Sequence, residues 1–586
     1  MDRIASYERY HSRHRQLVHG QGGSNVSASP REKAFYVPSN SLDCCKIREK
    51  RPGEQDLVEL GSFRPMMQGQ QDGSRLRLAE LLGALSLITD LGMGQPAEEA
   101  MRACLLATGL ARRMDLAETE VADIYYVGLL KYLGCTAYAH EEAVLFGGDD
   151  IALRSRGARV DFANPREALP FVLLEPGRHA PLPRRLLIVA RGMALGSHFG
   201  SRMTASHCEV AAMLARRLGL PQRVQVALYQ VMERWDGNGG PQRLAGNDTV
   251  LAARFALLAS RVVAFARIGG IEGASAMVRD WRNGFFDPEL ADVFLRFGPE
   301  LLREIDAADV YRAVVEAEPQ PRQQISESHL DSLAETFADM VDLKVPFLRG
   351  HSRGVAALAE AAARGSGLAA ADVTALHRAA LLHDVGRVGV ANGTWERPGP
   401  LGRGEWEKVR LHPYHSERIL SCAPVLEPLA SIAGMHHERL DGSGYHRQAK
   451  AASLPPAALI LAAADAFQAM TQERPYRRAL SADAASGELL AEVRHGRHDG
   501  EAVQAVLSAA GHAGGSRRRE WPAGLTDRQV EVLALLARGA SNKQVAKELG
   551  ISPKTVGHHV QHIYDKIGVS TRAGAAVFAM EHSLLG

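Results

Sequence analysis

From Leu76 onward, apolar positions recur at the three- and four-residue spacing of amphipathic helices. Ala, Leu, Arg and Glu dominate, and runs of β-branched residues are rare. The pattern predicts an all-α protein. Residues 1–74 lack it: they are polar, with Gly, Ser and scattered charge, and read as a disordered tail. Two further polar stretches interrupt the helical text and read as linkers. One is 316–329, which contains Glu318-Pro319-Gln320-Pro321; the other is 511–521, which contains Gly514-Gly515-Ser516-Arg517. They leave helical domains over 75–315 and 330–510 and a terminal module over 522–586.

Composition narrows the class. At 586 residues the chain is long enough for about three to four domains. A net charge of +2 says little about partners. The six cysteines show no metal-site spacing, which favours a reducing compartment. No stretch reaches the roughly 18 apolar residues that a membrane span needs. A cytoplasmic protein without a membrane partner is expected.

The two long domains repeat one another. Leu129-Leu130-Lys131-Tyr132-Leu133-Gly134 aligns with Leu381-Leu382-His383-Asp384-Val385-Gly386. Glu233-Arg234-Trp235-Asp236-Gly237-Asn238-Gly239 aligns with Glu438-Arg439-Leu440-Asp441-Gly442-Ser443-Gly444 at an offset of 205. The same offset puts His207 on His412 and Ser260 on Asp465. The first copy carries 47 extra residues, placed around Arg154 to Arg191 as a loop or small subdomain.

The chemistry-bearing residues concentrate in the second copy: His351, His383, Asp384, His412, His436, His437 and Asp465. Imidazole and carboxylate suit iron, manganese or zinc, and such a set is raw material for metal-activated water. Five blocks in order carry a resemblance: Gly350-His351-Ser352, His383-Asp384-Val385-Gly386-Arg387, His412-Pro413, His436-His437-Glu438 through Gly444-Tyr445, and Ala464-Asp465 with Arg474-Pro475-Tyr476-Arg477. Over roughly 330–495 the chain resembles the HD-GYP family of HD-superfamily phosphohydrolases. The resemblance implies that these seven residues hold two divalent metal ions, iron or manganese, with Asp384 bridging. It also implies hydrolysis of a nucleotide phosphodiester, with cyclic di-GMP the leading substrate.

Three positions depart from the family pattern. The lysine after His-Asp is Arg387, which can clamp phosphate but stays protonated at neutral pH. The proline of the Gly-Tyr-Pro signature is His446, an extra imidazole expected near the pocket. An upstream Glu found in three-metal members is Phe347, which favours two metals. Asp384 and Arg387 are the expected catalytic pair, and Arg474 and Arg478 the expected phosphate holders. The first copy has Lys131-Tyr132, Val231-Met232 and Ser260 at the ligand positions. It is expected to hold no metal and to serve as a structural partner or a ligand-sensing domain.

The terminal module reads as four short helices. Thr526-Asp527-Arg528-Gln529 and Ser541-Asn542-Lys543-Gln544 are capping-box starts. Gly539, Gly550 and Gly568 stand at helix ends, and Ser552-Pro553 opens the third helix. Ten Lys and Arg against six Asp and Glu over 517–586 suit phosphate contact. The module resembles a LuxR/GerE helix-turn-helix from Leu525-Thr526 to Lys566-Ile567-Gly568-Val569. Lys554, Thr555, His558, His559 and His562 are then expected on double-stranded DNA, with Lys543 and Lys566 on its backbone. The last helix, Arg572 to Leu584, is the family's usual dimer contact, so a homodimer is expected.

Two readings follow. In one, the chain is a DNA-binding transcriptional regulator whose HD domain hydrolyses a cyclic dinucleotide. In the other, it is a ligand-gated transcription factor whose HD domain binds metal and nucleotide without turnover.

Overall fold

In the computed structural model, residues 76–178, 180–512 and 521–585 are described, and they are almost wholly helical. The expected tail, and most of the second expected linker, lie outside them. The first copy contains α1 (Leu78–Gly92), α2 (Glu99–Arg113), α3 (Glu118–Leu130), α4 (Ala139–Phe146), α5 (Asp150–Gly157), α6 (Pro165–Leu174), α7 (Leu182–Arg217), α8 (Gln222–Tyr229), α9 (Leu251–Trp281), α10 (Pro288–Ala307) and α11 (Val310–Ala317). The second contains α12 (Glu327–Leu343), α13 (His351–Gly365), α14 (Ala370–Leu382), α15 (Asn392–Trp395), α16 (Arg403–Arg410), α17 (His412–Leu420), α18 (Glu427–Gly434), α19 (Pro456–Thr471), α20 (Ala482–Arg494) and α21 (Gly500–His512). The terminal head is α22 (Asp527–Ala537), α23 (Asn542–Leu549), α24 (Pro553–Ile567) and α25 (Arg572–Glu581). No described helix is long and apolar enough to cross a membrane.

The repeat is visible in backbone detail. A side chain at Gly134 would put its Cβ 2.0 Å from the His207 carbonyl oxygen, and one at Gly386 would put it 2.1 Å from that of His412. Both glycines permit the same helix crossing. Glu233 accepts from the Gln242 and Leu244 amides (2.6 and 3.1 Å), as Glu438 does from Arg447 and Ala449 (3.1 and 2.9 Å). Each loop then closes on an antiparallel bridge, Asp236 to Ala245 and Asp441 to Lys450. The two loops therefore share a shape although the ligand positions differ. The extra residues of the first copy fall in α5, α6 and the start of α7, and α6 buries none of its residues.

The segment 316–329 does not dangle. Gln324–Ile325 (β2) pairs antiparallel with Leu76–Arg77 (β1). The buried Glu318 carboxylate accepts from Arg77 Nε (2.9 Å), Tyr126 Oη (3.0 Å) and its own Gln323 amide (3.1 Å). The buried apolar residues of both copies and of the head form one continuous cluster from Leu78 to Leu584.

A buried polar joint fixes one copy against the other. Lys344 Nζ lies 2.5 Å from Asp150 Oδ2, with side chains 2 % and 0 % exposed. Asp150 Oδ1 accepts from the Asn392 amide at 2.7 Å, and Asn392 Nδ2 donates to the Lys344 carbonyl at 2.8 Å. The joint thereby anchors α15. Asp150→Ala would strand the Lys344 ammonium in the core and should cost about 3–5 kcal/mol. Denaturant unfolding is the check; an unchanged midpoint would contradict the account.

Candidate metal centre and nucleic-acid interface

The seven candidate ligands converge from five helices. His351 opens α13, after Gly350 in the left-handed region (φ 77°). His383 and Asp384 follow the last turn of α14, and His412 opens α17. His436 and His437 follow α18, and Asp465 sits within α19. Helix ends supply most of them because the chain turns there and side chains can project into the space between helices.

Asp384 is the centre of the arrangement. Its Oδ2 lies 3.1 Å from His383 Nε2 and 3.8 Å from His351 Nε2. Its Oδ1 lies 3.1 Å from His412 Nε2 and 3.4 Å from His436 Nε2. Asp465 approaches His351 through Oδ1 (3.0 Å) and His437 through Oδ2 (3.7 Å). The two oxygens of Asp384 thus face two different ligand groups, as a bridging carboxylate requires.

The outer contacts set the tautomers. His383, His412 and His436 each lie 2.6 Å through Nδ1 from the carbonyl three residues earlier: Ala380, Val409 and Ala433. Donation there leaves each Nε2 lone pair aimed inward, the usual arrangement of metal-binding imidazoles. Burial pushes His351 and His412 down to about 4, so both are neutral donors at neutral pH. Burial alone would raise the two carboxyls. Arg387 and His383 hold Asp384 well below the usual carboxylate range, and His351 and His437 do the same for Asp465. His383 Nε2 and both Asp384 oxygens are buried and make no well-aligned hydrogen bond, although the Arg387 guanidinium forms an ion pair with Oδ2. Orphaned buried acceptors are costly; divalent cations would satisfy all three, so the donor set fits a metal.

Beside this centre is a pocket. His412, His436, His437 and Asp465 form its floor; Arg387 and Arg474 are cationic walls; Trp395, Trp406 and Tyr445 are aromatic walls. Arg387 Nη1 lies 2.7 Å from Asp384 Oδ2, and its guanidinium stands over the Trp395 ring at 5.1 Å. Burial lowers Arg474 to about 10, and its guanidinium stands over Phe347 at 5.1 Å. Arg478 is exposed and lines no part of the pocket. Arg477 lines it instead, with its guanidinium held by the Met470 carbonyl at 2.8 Å. His446 is also outside the pocket: it turns towards Glu417, 3.7 Å away, and the Tyr414 ring. Sequence reasoning missed Trp395 and Trp406. Two of the chain's five tryptophans in the stretch between His383 and His412 were a usable signal.

The first copy has a filled centre. Lys131 is 2 % exposed, and its ammonium donates to Ser260 Oγ, which stands where Asp465 stands in the second copy. His207 Nε2 turns to the Lys131 carbonyl at 3.0 Å. Burial pushes the Lys131 amine well below its usual value.

In the head, Thr526, Ser541 and Ser552 cap α22, α23 and α24 as their sequence implies, and Gly550 and Gly568 end α23 and α24 at positive φ. Lys543, Lys554, Thr555, His558 and His562 are exposed, and His559 is half-buried. Lys566 is engaged within the head: Nζ donates to the Gly524 carbonyl (2.6 Å) and Gln529 Oε1 (2.9 Å). The last helix differs from expectation. Its residues Ala573 to Val577, Ala579 and Met580 are all buried, because α25 packs on α22 inside the head and on α7 and α12 of the body. The face expected to meet a second copy is covered by this chain itself.

Residues 335–502 match the HD domain family, and residues 523–579 match the bacterial regulatory proteins of the luxR family. The chain is 31% identical over 435 residues to the 3′3′-cGAMP-specific phosphodiesterase 3 of Vibrio cholerae, covering 74% of this chain and 94% of the relative. It is 40% identical over 129 residues to a cyclic di-GMP phosphodiesterase of Thermotoga maritima, covering 22% of this chain and 35% of the relative. Among solved structures, the cyclic GMP-AMP-specific phosphodiesterase V-cGAP3 of Vibrio cholerae superimposes with a TM-score of 0.53 at 28% identity, over 75% of this chain and 98% of that one.

The head geometry separates two kinds of substitution. Lys554→Ala with Thr555→Ala should weaken double-stranded DNA binding about tenfold or more in gel shifts, while head stability falls by no more than about 1 kcal/mol from loss of the exposed Thr555–Ser552 hydroxyl contact. Lys566→Ala should lower head stability by about 1 kcal/mol by removing two hydrogen bonds, read by thermal unfolding. Equal DNA binding by the double variant would defeat the assignment of this surface.

Proposed function

We propose, from the premise that this chain belongs to the HD-GYP family of HD-domain phosphodiesterases and ends in a luxR-family regulatory domain, that it is a transcriptional regulator hydrolysing a cyclic dinucleotide. The observation that carries the reading is Asp384, whose two oxygens face separate histidine sets in a buried centre. His351, His383, Asp384 and Asp465 would hold one divalent ion, and Asp384, His412, His436 and His437 a second. Iron or manganese suits this all-nitrogen-and-oxygen set. When bound, such a pair supplies a hydroxide at neutral pH and absorbs charge on phosphate oxygens.

The chain's own residues do the rest. Arg474 and Arg387 border the floor and offer planar, two-pronged donors to a phosphodiester. Arg387 stabilises charge on the departing oxygen but cannot release a proton to it. The aromatic walls give each base a stacking face; Tyr445 already packs on His437 with ring centres 4.3 Å apart. Cyclic GMP-AMP and cyclic di-GMP, the molecules named for the relatives, have two bases and two such phosphates. The exposed Lys554, Thr555 and His558 suit DNA, and a homodimer suits paired half-sites.

One observation favours the second reading, a ligand-gated factor without turnover: the Arg387 guanidinium occupies the Asp384 oxygen that one ion would need. A single experiment separates the two. Purified protein loaded with Mn(II) or Fe(II) should contain two ions per chain and cleave 3′3′-cyclic GMP-AMP or cyclic di-GMP. Asp384→Ala should lose metal and at least 100-fold of the rate. Two ions with no cleavage of either nucleotide would leave the sensor; no ions would end both readings. Arg387→Lys should raise the rate if proton delivery limits it, and a fall would show that the phosphate clamp matters more.

A further inference from the structure

The segment Pro346 to His351 touches three things at once. Phe347 and Leu348 line the pocket, and Arg474 stands over Phe347. His351 is a candidate metal ligand. The residues between face the other way, onto the head. Pro346 lies against Gly539, where an added Cβ would meet it at 2.7 Å. The buried Arg349 guanidinium donates to the Ala537 carbonyl at the end of α22, and Gly350 lies against Leu585. Thus six consecutive residues link the pocket floor to the head.

A second clamp holds the head from the first copy. Glu209 on α7 receives the Ser570 amide (2.7 Å) and hydroxyl (2.8 Å) on one oxygen. Its other oxygen receives the Thr571 amide (3.1 Å) and hydroxyl. Ser570 and Thr571 lead into α25, and Thr571 is its N-cap, so a body carboxylate holds the entry to a head helix. The docked head keeps Lys554, Thr555 and His558 exposed. What docking covers is α25.

We propose that the head is stored in a docked, unpaired state and that filling the pocket releases it. This rests on the nucleotide reading of the site. A phosphodiester on the pocket floor draws the Arg474 guanidinium off the Phe347 ring. Phe347 then relaxes with its neighbours, Pro346 and Arg349 lose their grip on the end of α22 and on Gly539, and the Glu209 clamp with the packing of α25 on α7 and α12 no longer suffices to hold the head. α25 becomes free to meet a second copy across two half-sites. Linkage makes the coupling reciprocal: whatever loosens the head must tighten nucleotide binding by the same factor.

The test uses the full chain, Mn(II) and a non-hydrolysable phosphorothioate analogue of 3′3′-cyclic GMP-AMP. Hydrogen exchange across 570–581 should rise about fivefold or more on binding, the lower end of ordinary coupling. Glu209→Ala should show fast exchange there without ligand and bind the analogue about fivefold tighter by calorimetry. Glu209→Gln, which keeps the volume, should move both readouts in the same direction while exchange in α14 stays slow, which rules out general unfolding. Analogue bound with unchanged exchange, or Glu209 variants with wild-type affinity, would overturn the coupling and leave the site reading intact. No binding to the wild type would sink both.

Discussion

Two carboxylates in an apolar core cannot stay charged without cations, and the second copy is arranged around that constraint. Asp384 and Asp465 are 1 % and 3 % exposed, yet their surroundings favour the ionised form. Imidazoles pinned by backbone carbonyls present lone pairs to the same space, and a lone pair cannot neutralise a carboxylate. Arg387 offsets part of that charge from 2.7 Å, and the rest of the hollow is carboxylate and donor nitrogen. It lies where five helices end or cross, so loss of charge balance there would be felt by most of the domain.

The first copy shows the other way to meet the same constraint. There the carboxylate positions are Tyr132 and Ser260, the His-Asp histidine is Lys131, and an amine fills the space directly. The helix crossing at Gly134, the Glu233 loop lock and the Asp236 bridge all persist. The first copy has this shape without the seven-residue ligand set, and it makes two contacts that serve the rest of the chain. Its Asp150 anchors the wall that carries Trp395, and its Glu209 holds Ser570 and Thr571 at the entry to the last helix of the head. This favours the structural over the ligand-sensing expectation for the first copy.

Much of this was legible in the sequence, for reasons that differ by level. Helix spacing is a local property, so the all-α class and the head's caps at Thr526, Ser541 and Ser552 could be read directly. The ligand set could be read because each member sits in a short block of fixed order. Side-chain direction was less accessible. His446 looked like a pocket residue but turns to Glu417, and Arg477 rather than Arg478 reaches the pocket. Lys566 looked free for phosphate but is tied to Gly524 and Gln529. The docking of the head was least legible. Glu209 lies 361 residues from Ser570, and no local pattern marks a carboxylate as the partner of a distant helix entry.

In the proposed function Asp384 joins two cations. Anomalous diffraction from crystals of the Mn(II)- or Fe(II)-loaded protein tests it most directly. Two peaks about 3.5–4 Å apart are expected, with one oxygen of Asp384 beside each. A single peak, or two that Asp384 does not bridge, would contradict it.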